Sequence, residues 1–226
     1  MNAIEGLIND IETFESSSEI IAIIVGKSSP EQLHCGIAFK EKDKYNALHL
    51  AWHFVLRHDI SIKSEFKNYI WIQSSIHNMR QNAIGAMCRR IIKRNQNGIP
   101  YGLLYNGGIF TNNGLLTLFE EENGLTCATF VLAVFSSCGI NLINLSSWPT
   151  RDEDRIWHNE IIQTLEETSQ RSNITTEHIN NVRNEIGCSR YKPEEVGASS
   201  IFNDLPASFS KIGPAGAKLK EILENS

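Results

Sequence analysis

The clearest candidate for chemistry in this chain is a cysteine that stands where a loop ends and an apolar run begins. Cys127 lies within ENGLTCATFVLAVFSSCGI, residues 122–140. Thr126 can cap a helix that starts here, which places Cys127 in the first turn. A helix N-terminus lowers the pKa of a thiol, and its free N–H groups can face a developing oxyanion. Cys127 is therefore a candidate nucleophile, although the same run also suits a buried core helix.

A thiol nucleophile needs a base, and the chain has seven histidines. Four of them are expected at the surface, on polar helices or in a charged turn: His58, His77, His158 and His178. The other three, His34, His49 and His53, fall on two predicted strands. If the strands form a hairpin and share a face, His34 and His49 lie within a few ångströms of each other. Such a pair could supply a base and a partner that orients it.

Two of these histidines also raise the possibility of a metal site. His49 and His53 are four residues apart in HLAWH, like the histidines of the zinc metalloprotease motif. That motif needs a helix and a glutamate after the first histidine, whereas here Leu50 follows and the segment reads as a strand. The five cysteines include no C-x-x-C pair. The sequence therefore predicts neither a metal site nor a cofactor.

Residue periodicity predicts the elements that must position these side chains. Four apolar or alternating runs predict a small antiparallel sheet, at residues 19–26, 33–40, 47–56 and 69–73. Helical spacing predicts helices over residues 1–15, from Ser74 or Ser75 to Gly98, and from about Thr126 to Cys138. Beyond residue 150 the pattern is helical, with Pro193 well placed in a first turn.

The segments HCGIAF and ALHL, residues 34–39 and 47–50, resemble the two histidine strands of the permuted NlpC-type papain-like proteins, which include the lecithin:retinol acyltransferase-like group. In that family an H-x-G-I strand is followed by a strand with a second polar residue, often histidine. The nucleophile comes later in a motif similar to C-x-x-F-V, which Cys127 begins here. In the unpermuted relatives the histidine strand follows the cysteine, so the order in this chain implies the permuted form.

The resemblance covers residues 33 to about 145, around half of the chain. It departs from the family where Ala128 and Thr129 follow the cysteine, since Ser-Glu or Ser-Gly is usual there. It implies an α+β fold: a permuted papain-like core with a small antiparallel sheet packed on the cysteine helix, plus a helical C-terminal extension. We expect a thiol hydrolase core over residues 1–150 and a helical extension over 151–226 that packs on it.

The resemblance also implies roles for the candidate residues. Cys127 attacks a carbonyl, His34 activates it and protonates the leaving group, and His49 orients His34. Tyr101 and Tyr105 are expected to line the substrate site. The expected activity is that of a cysteine peptidase or amidase acting on a peptide, a protein or a cell-wall fragment. A thiol acyltransferase or lipase acting on acyl chains, and a non-catalytic papain-like interaction module, remain the alternatives.

Bulk composition limits the partners and the location. The 226 residues are 41% hydrophobic and 21% charged with a net charge of −5, as in ordinary globular proteins. The longest basic patch, RRIIKR at 89–94, is short, so nucleic acid is not expected as a partner. No apolar run approaches the roughly 18 residues of a membrane span. Irregularly spaced cysteines and no recognisable signal peptide favour the cytoplasm, with non-classical export left open. The helical C-terminal half could bind a protein partner.

Overall fold

The computed structural model of the chain describes residues 4–29, 32–41, 44–60, 68–172 and 174–225. Within these residues the strands are β1 (Ile8–Asp10), β2 (Ile21–Ser29), β3 (Gln32–Glu41), β4 (Lys44–Trp52), β5 (Val55–Ile60), β6 (Tyr69–Ile72), β7 (Ile109–Phe110) and β8 (Leu116–Thr117). The α-helices are α1 (Asn78–Arg94), α2 (Cys127–Ser137), α3 (Asp154–Ser172), α4 (Thr176–Asn184), α5 (Pro193–Ser199) and α6 (Phe209–Glu224). The fold is therefore mixed α+β, which confirms the predicted class.

The main sheet has six antiparallel strands in the order β1-β6-β2-β3-β4-β5. Side chains alternate between its two faces, as the period of a strand requires. Ile23 and Val25 of β2 belong to the large core cluster. Ala22 and Ile24 belong to a smaller cluster that Phe14 of the N-terminal segment helps to close. Both faces of the central strands are thus covered, which explains their nearly continuous apolar sequence.

Two parts of this sheet differ from the sequence prediction. The helix predicted over residues 1–15 is wrong from Ile4 onward, where two 3-10 turns flank β1. Ile8 pairs with Ile72, so pairing with the sheet edge overrides the helical spacing of the segment. The single strand predicted over 47–56 is also wrong, because a turn at His53 and Phe54 separates β4 from β5. The sheet therefore has two more strands than predicted.

Helix α2 forms the centre of the large core. Its residues from Ala128 to Phe135 are all buried, and it packs on β3 and β4 as well as on α1 and α5. A helix that is apolar on every side is expected to be enclosed in this way. The predicted helix over 126–138 is confirmed to within one residue at each end.

Of the helices after residue 150, α5 packs against the same sheet. α5 is buried along its whole length and contacts β2, β3 and α2. Pro193 occupies its first turn, as predicted. A Cβ on Gly197 would lie 2.6 Å from a Val25 methyl and 2.8 Å from Ile72, so glycine is what allows this close approach. One continuous apolar cluster therefore joins the two predicted regions. Among the described residues, no helix has both the length and the apolar character needed to cross a membrane.

Candidate active site

The fold holds Cys127 at the first position of α2. The Thr126 hydroxyl accepts the backbone N–H of Thr129 at 3.1 Å, and the Thr129 hydroxyl accepts the N–H of Thr126 at 2.7 Å. This reciprocal capping fixes the start of the helix. Cys127 is half-buried. Because it is the first residue of α2, it lies at the end of the helix where backbone N–H groups are free and the helix dipole is positive.

Small residues between the strands bring the two predicted histidines together. His34 of β3 stands opposite Gly26 of β2. Gly36 adjoins His49 of β4, because a Cβ added to Gly36 would lie only 2.7 Å from the Cβ of His49. The space left by Gly36 lets the two rings meet: His34 Nε2 lies 2.8 Å from His49 Nδ1, with the ring planes 78° apart. The predicted proximity of these side chains is therefore seen in the structure.

Two side chains, Cys35 and His34, have the main influence on the ionisation of the Cys127 thiol. The hydrogen bond with the Cys35 thiol is the largest cause that lowers the pKa of Cys127 well below its ordinary value. Burial opposes this shift, while the charge and the hydrogen bond of His34 and the backbone N–H of Cys35 reinforce it. Burial raises the pKa of every other cysteine, namely Cys35, Cys88, Cys138 and Cys188. Cys127 is thus the one thiol of the five whose surroundings favour the thiolate.

His49 is enclosed between two hydrogen-bonding partners. It is only 5% exposed, and its Nε2 lies 3.0 Å from Oδ2 of Asp59 on β5. Burial, and after it the charge of His34, lowers the pKa of His49 to about 4, against the opposing effect of Asp59. His49 is therefore a neutral imidazole at neutral pH and links His34 to the carboxylate.

The two predicted substrate-lining tyrosines lie in different places. Tyr101 is buried, and its ring centroid is 4.7 Å from that of Trp52. Burial and then the charge of Cys127 raise its pKa, so Tyr101 lies within electrostatic range of the thiol. Tyr105 packs against Tyr191 and lines a separate groove of about 270 Å³. The structure thus brings Tyr101 to the site and leaves Tyr105 away from it.

Three of the four histidines expected at the surface are partly or fully buried. His158 is 1% exposed, His178 is half-buried against Tyr101 and His53, and His58 is half-buried with its ring stacked on Phe39. Polar helix sequences hid the first two, because a neighbouring loop covers their faces. His77 is exposed as predicted, and it caps α1 by accepting the N–H of Met79 at 3.3 Å.

Three side chains of the site were not foreseen from the sequence. Asp59 belongs to β5, for which the sequence carries no separate strand signal. Cys35 was overlooked although it is the neighbour of His34 within the histidine motif itself. Tyr69 of β6 lies over Gly26, with its ring centroid 6.5 Å from that of His34. Only Cys35 carried a local signal, since Asp59 and Tyr69 depend on the pairing of distant strands.

A groove of about 460 Å³ is lined by other residues and not by Cys127, His34 or His49. Leu33, the neighbour of His34, lines it from β3, and Trp157 lines it from α3. Glu194 also lines it and interacts electrostatically with Cys35. Six ionisable side chains contribute to the lining: Glu153, Glu160, Arg190, Lys192, Glu194 and Lys220.

No protein-family model, curated protein or solved structure matches the chain. Within the described residues, no three side chains of the types His, Cys, Asp or Glu are grouped so that they could hold a metal ion. The chemistry of the site is therefore argued from its own geometry.

Proposed function

We propose that the chain is a permuted papain-like thiol hydrolase in which Cys127 is the nucleophile and His34 the general base. The observation that carries the proposal is a half-buried thiol at a capped helix N-terminus whose pKa is lowered, with the charge and hydrogen bonding of His34 among the causes. Cysteine hydrolases need a thiolate, an imidazole that holds its proton and donors for an oxyanion. The residues around Cys127 can supply all three.

The proposed reaction uses the two nitrogens of His34 for different tasks. Nε2 faces His49, which leaves Nδ1 for the thiol. Cys127 transfers its proton to Nδ1, and the thiolate then attacks the carbonyl carbon. The backbone N–H of Cys127 stabilises the oxyanion of the tetrahedral intermediate. When the carbon–nitrogen bond breaks, the imidazolium of His34 protonates the leaving amine. His34 then takes a proton from water, which hydrolyses the thioester and releases the acid.

We further propose that the groove of about 460 Å³ binds the substrate, and its lining favours an amide substrate of polar character over a long acyl chain. Its six ionisable side chains carry both signs of charge, three acidic and three basic. An acyl chain gains its binding energy from apolar surface, and ionisable groups in the lining lose hydration when it binds. A peptide carries backbone donors and acceptors that can replace this hydration.

Two substrate sets test the proposal: peptidyl aminocoumarin amides of varied sequence and nitrophenyl esters of long acyl chains. We expect at least one amide to be hydrolysed in preference to the esters, and Cys127→Ala to abolish the activity. Cys138→Ala is the matched control, because Cys138 lies at the other end of α2. Turnover that survives Cys127→Ala, or turnover of the acyl esters alone, would contradict the proposal.

A further inference from the structure

We infer that Asp59 is a positioning residue of this site, which sets the tautomers of His49 and His34 so that the unprotonated nitrogen of His34 faces Cys127. The inference rests on the proposed function for its purpose but not for its geometry. Asp59 does not contact the sulfur or any reacting atom, and it acts only through the two rings. Its carboxylate is the end of a hydrogen-bonded series that runs through His49 to His34, and His34 in turn lowers the pKa of Cys127.

The series allows one arrangement of protons when both rings are neutral. A carboxylate only accepts hydrogen bonds, so His49 must carry its proton on Nε2, 3.0 Å from Asp59 Oδ2. A neutral imidazole has one N–H, so Nδ1 of His49 holds a lone pair. His34 Nε2, 2.8 Å away, must then donate to that lone pair. Nδ1 of His34 is consequently unprotonated and can take the proton of the thiol.

The hairpin geometry shows why an aspartate at this position reaches the ring. Asp59 pairs with Ala47, and His49 pairs with Arg57, so Asp59 and His49 are diagonal neighbours across β4 and β5. Diagonal pairs lie about 7–8 Å apart at Cα, within reach of longer side chains. Ala47 is too small to obstruct the carboxylate. Asp59 lies on the edge strand β5, and its side chain is 31% exposed. The His49 side chain that it binds is only 7% exposed.

Other charged or titratable groups adjoin the series and are common to all the variants below. The charge of Arg57 on β5 lowers the pKa of His49, opposing Asp59. Cys35 and Tyr69 surround the thiol from β3 and β6. The acceptor that faces His49 Nε2 in this series is the Asp59 carboxylate, at 3.0 Å. Removing the carboxylate therefore releases the constraint on the tautomer of His49.

The direct test is nitrogen NMR of the full chain with ¹⁵N-labelled histidine, which distinguishes protonated from unprotonated ring nitrogens. We expect Nε2–H on both His34 and His49 in the wild type, a mixture of tautomers in Asp59→Ala, and recovery of the wild-type pattern in Asp59→Glu. Asp10→Ala is the matched control, since Asp10 is an exposed aspartate on the opposite edge strand. It should leave both rings unchanged.

The pH profile of Cys127 alkylation by iodoacetamide is the second measurement. Positioned general bases contribute about 10²–10⁴-fold, and Asp59 acts on the base only through His49, so we expect Asp59→Ala to lose up to about 10-fold at neutral pH and to shift its midpoint upward. Asp59→Glu should recover most of the loss. Wild-type rings protonated on Nδ1, or an Asp59→Ala protein with unchanged tautomers and alkylation, would overturn the inference. An unreactive wild-type Cys127 would instead overturn the proposed function, while the NMR pattern still decides the role of Asp59.

Discussion

Two histidine pairs meet in this fold, and only one of them reaches a thiol. His34 and His49 lie side by side with ring nitrogens 2.8 Å apart, and the pair continues to Cys127 on one side. His53 and His178 lie with ring centroids 4.4 Å apart, one in the turn after β4 and the other on α4. The same residue type thus occupies two neighbouring parts of the molecule with different partners.

The second pair holds the backbone of one residue. Tyr101 donates its N–H to His53 Nδ1 at 3.2 Å, and its carbonyl accepts from His178 Nε2 at 2.9 Å. Burial and the neighbouring His178 lower the pKa of His53 to about 4, the same value as for His49. A lowered histidine pKa therefore does not by itself mark an active site. The partners of each pair distinguish the two: the first pair lies between a thiol and a carboxylate, whereas the second pair binds the backbone of Tyr101.

The largest difference between the two pairs is expected in the rate of Cys127 alkylation when one histidine of each pair is replaced by alanine. We expect His34→Ala to reduce Cys127 alkylation at neutral pH by about 100-fold or more, because the thiol loses its base. His53→Ala should leave the rate nearly unchanged and cost about 1–3 kcal/mol of stability, since the Tyr101 N–H loses its acceptor. Mass spectrometry of alkylated peptides gives the rates, and circular dichroism checks that each variant is folded. A severe His53→Ala with a normal His34→Ala would reverse the assigned roles.

Replacing the other histidine of each pair, His49 or His178, should give a smaller difference in the rate of Cys127 alkylation. Asn in place of His49 keeps an acceptor near the position of Nδ1 but breaks the series to Asp59. We expect His49→Asn to slow alkylation by an intermediate factor of about 10, because orienting groups matter less than the base. His178→Asn should not change the rate. Equal rates for the two variants in the same alkylation assay would show that His49 does not orient His34.

Cys35, which adjoins His34 in the sequence, is expected to have the next largest effect on the alkylation of Cys127. The hydrogen bond with Cys35 is the largest cause of the lowered pKa of Cys127, so Cys35→Ala should raise that pKa. Below the pKa, each unit of rise reduces the thiolate fraction about tenfold. Cys35→Ser, which keeps a donor, should retain part of the shift. Cys88→Ala removes an equally buried cysteine from α1 and should leave the pH midpoint of Cys127 alkylation in place. A midpoint that Cys35→Ala does not move would exclude this role.

The smallest expected effect concerns the pH dependence of stability. The folded-state pKa of His53, about 4, lies below its ordinary value of about 6.5, so the unfolded chain binds the proton first as the pH falls. The contribution of neutral His53 to the free energy of unfolding is therefore fully present above about pH 6.5 and is lost as the pH falls towards 4. His53→Asn keeps an acceptor for Tyr101 but cannot titrate there. The urea midpoint of unfolding should therefore drop less between pH 7.5 and pH 5 in His53→Asn than in the wild type. An equal drop in the two proteins would contradict the assignment of this effect to His53.

Much of the site could be predicted because its signals are local. Thr126 before an apolar run predicts the helix start, and the H-x-G-I strand with a second histidine strand predicts the ring pair. The turn at His53 and Phe54 could not be found in this way. Phe54 adopts φ 55°, a conformation that usually calls for glycine or asparagine, so the sequence gives no turn signal there. With the turn missed, β5 and the position of Asp59 were missed too.

The N-terminal segment shows the other limit of local patterns. Ile4, Leu7, Ile8, Ile11 and Phe14 have helical spacing, yet Ile8 pairs with Ile72 and Phe14 closes the outer face of the sheet. Apolar residues at helical spacing can also serve turns and a short strand when a sheet edge needs covering. Only the pairing of distant segments decides between these structures.

The two cysteines at opposite ends of α2 test the central claim most directly. Cys127 lies at the N-terminus beside His34, whereas Cys138 ends the helix and burial raises its pKa. The measurement is the rate of iodoacetamide alkylation of each of the five cysteines in the native protein between pH 5 and 10. We predict that Cys127 reacts first, with a midpoint well below the roughly 8.5 of a free thiol. Alkylation of Cys127 no faster than that of Cys138, or with a midpoint at or above that of a free thiol, would contradict the claim that it is an activated nucleophile.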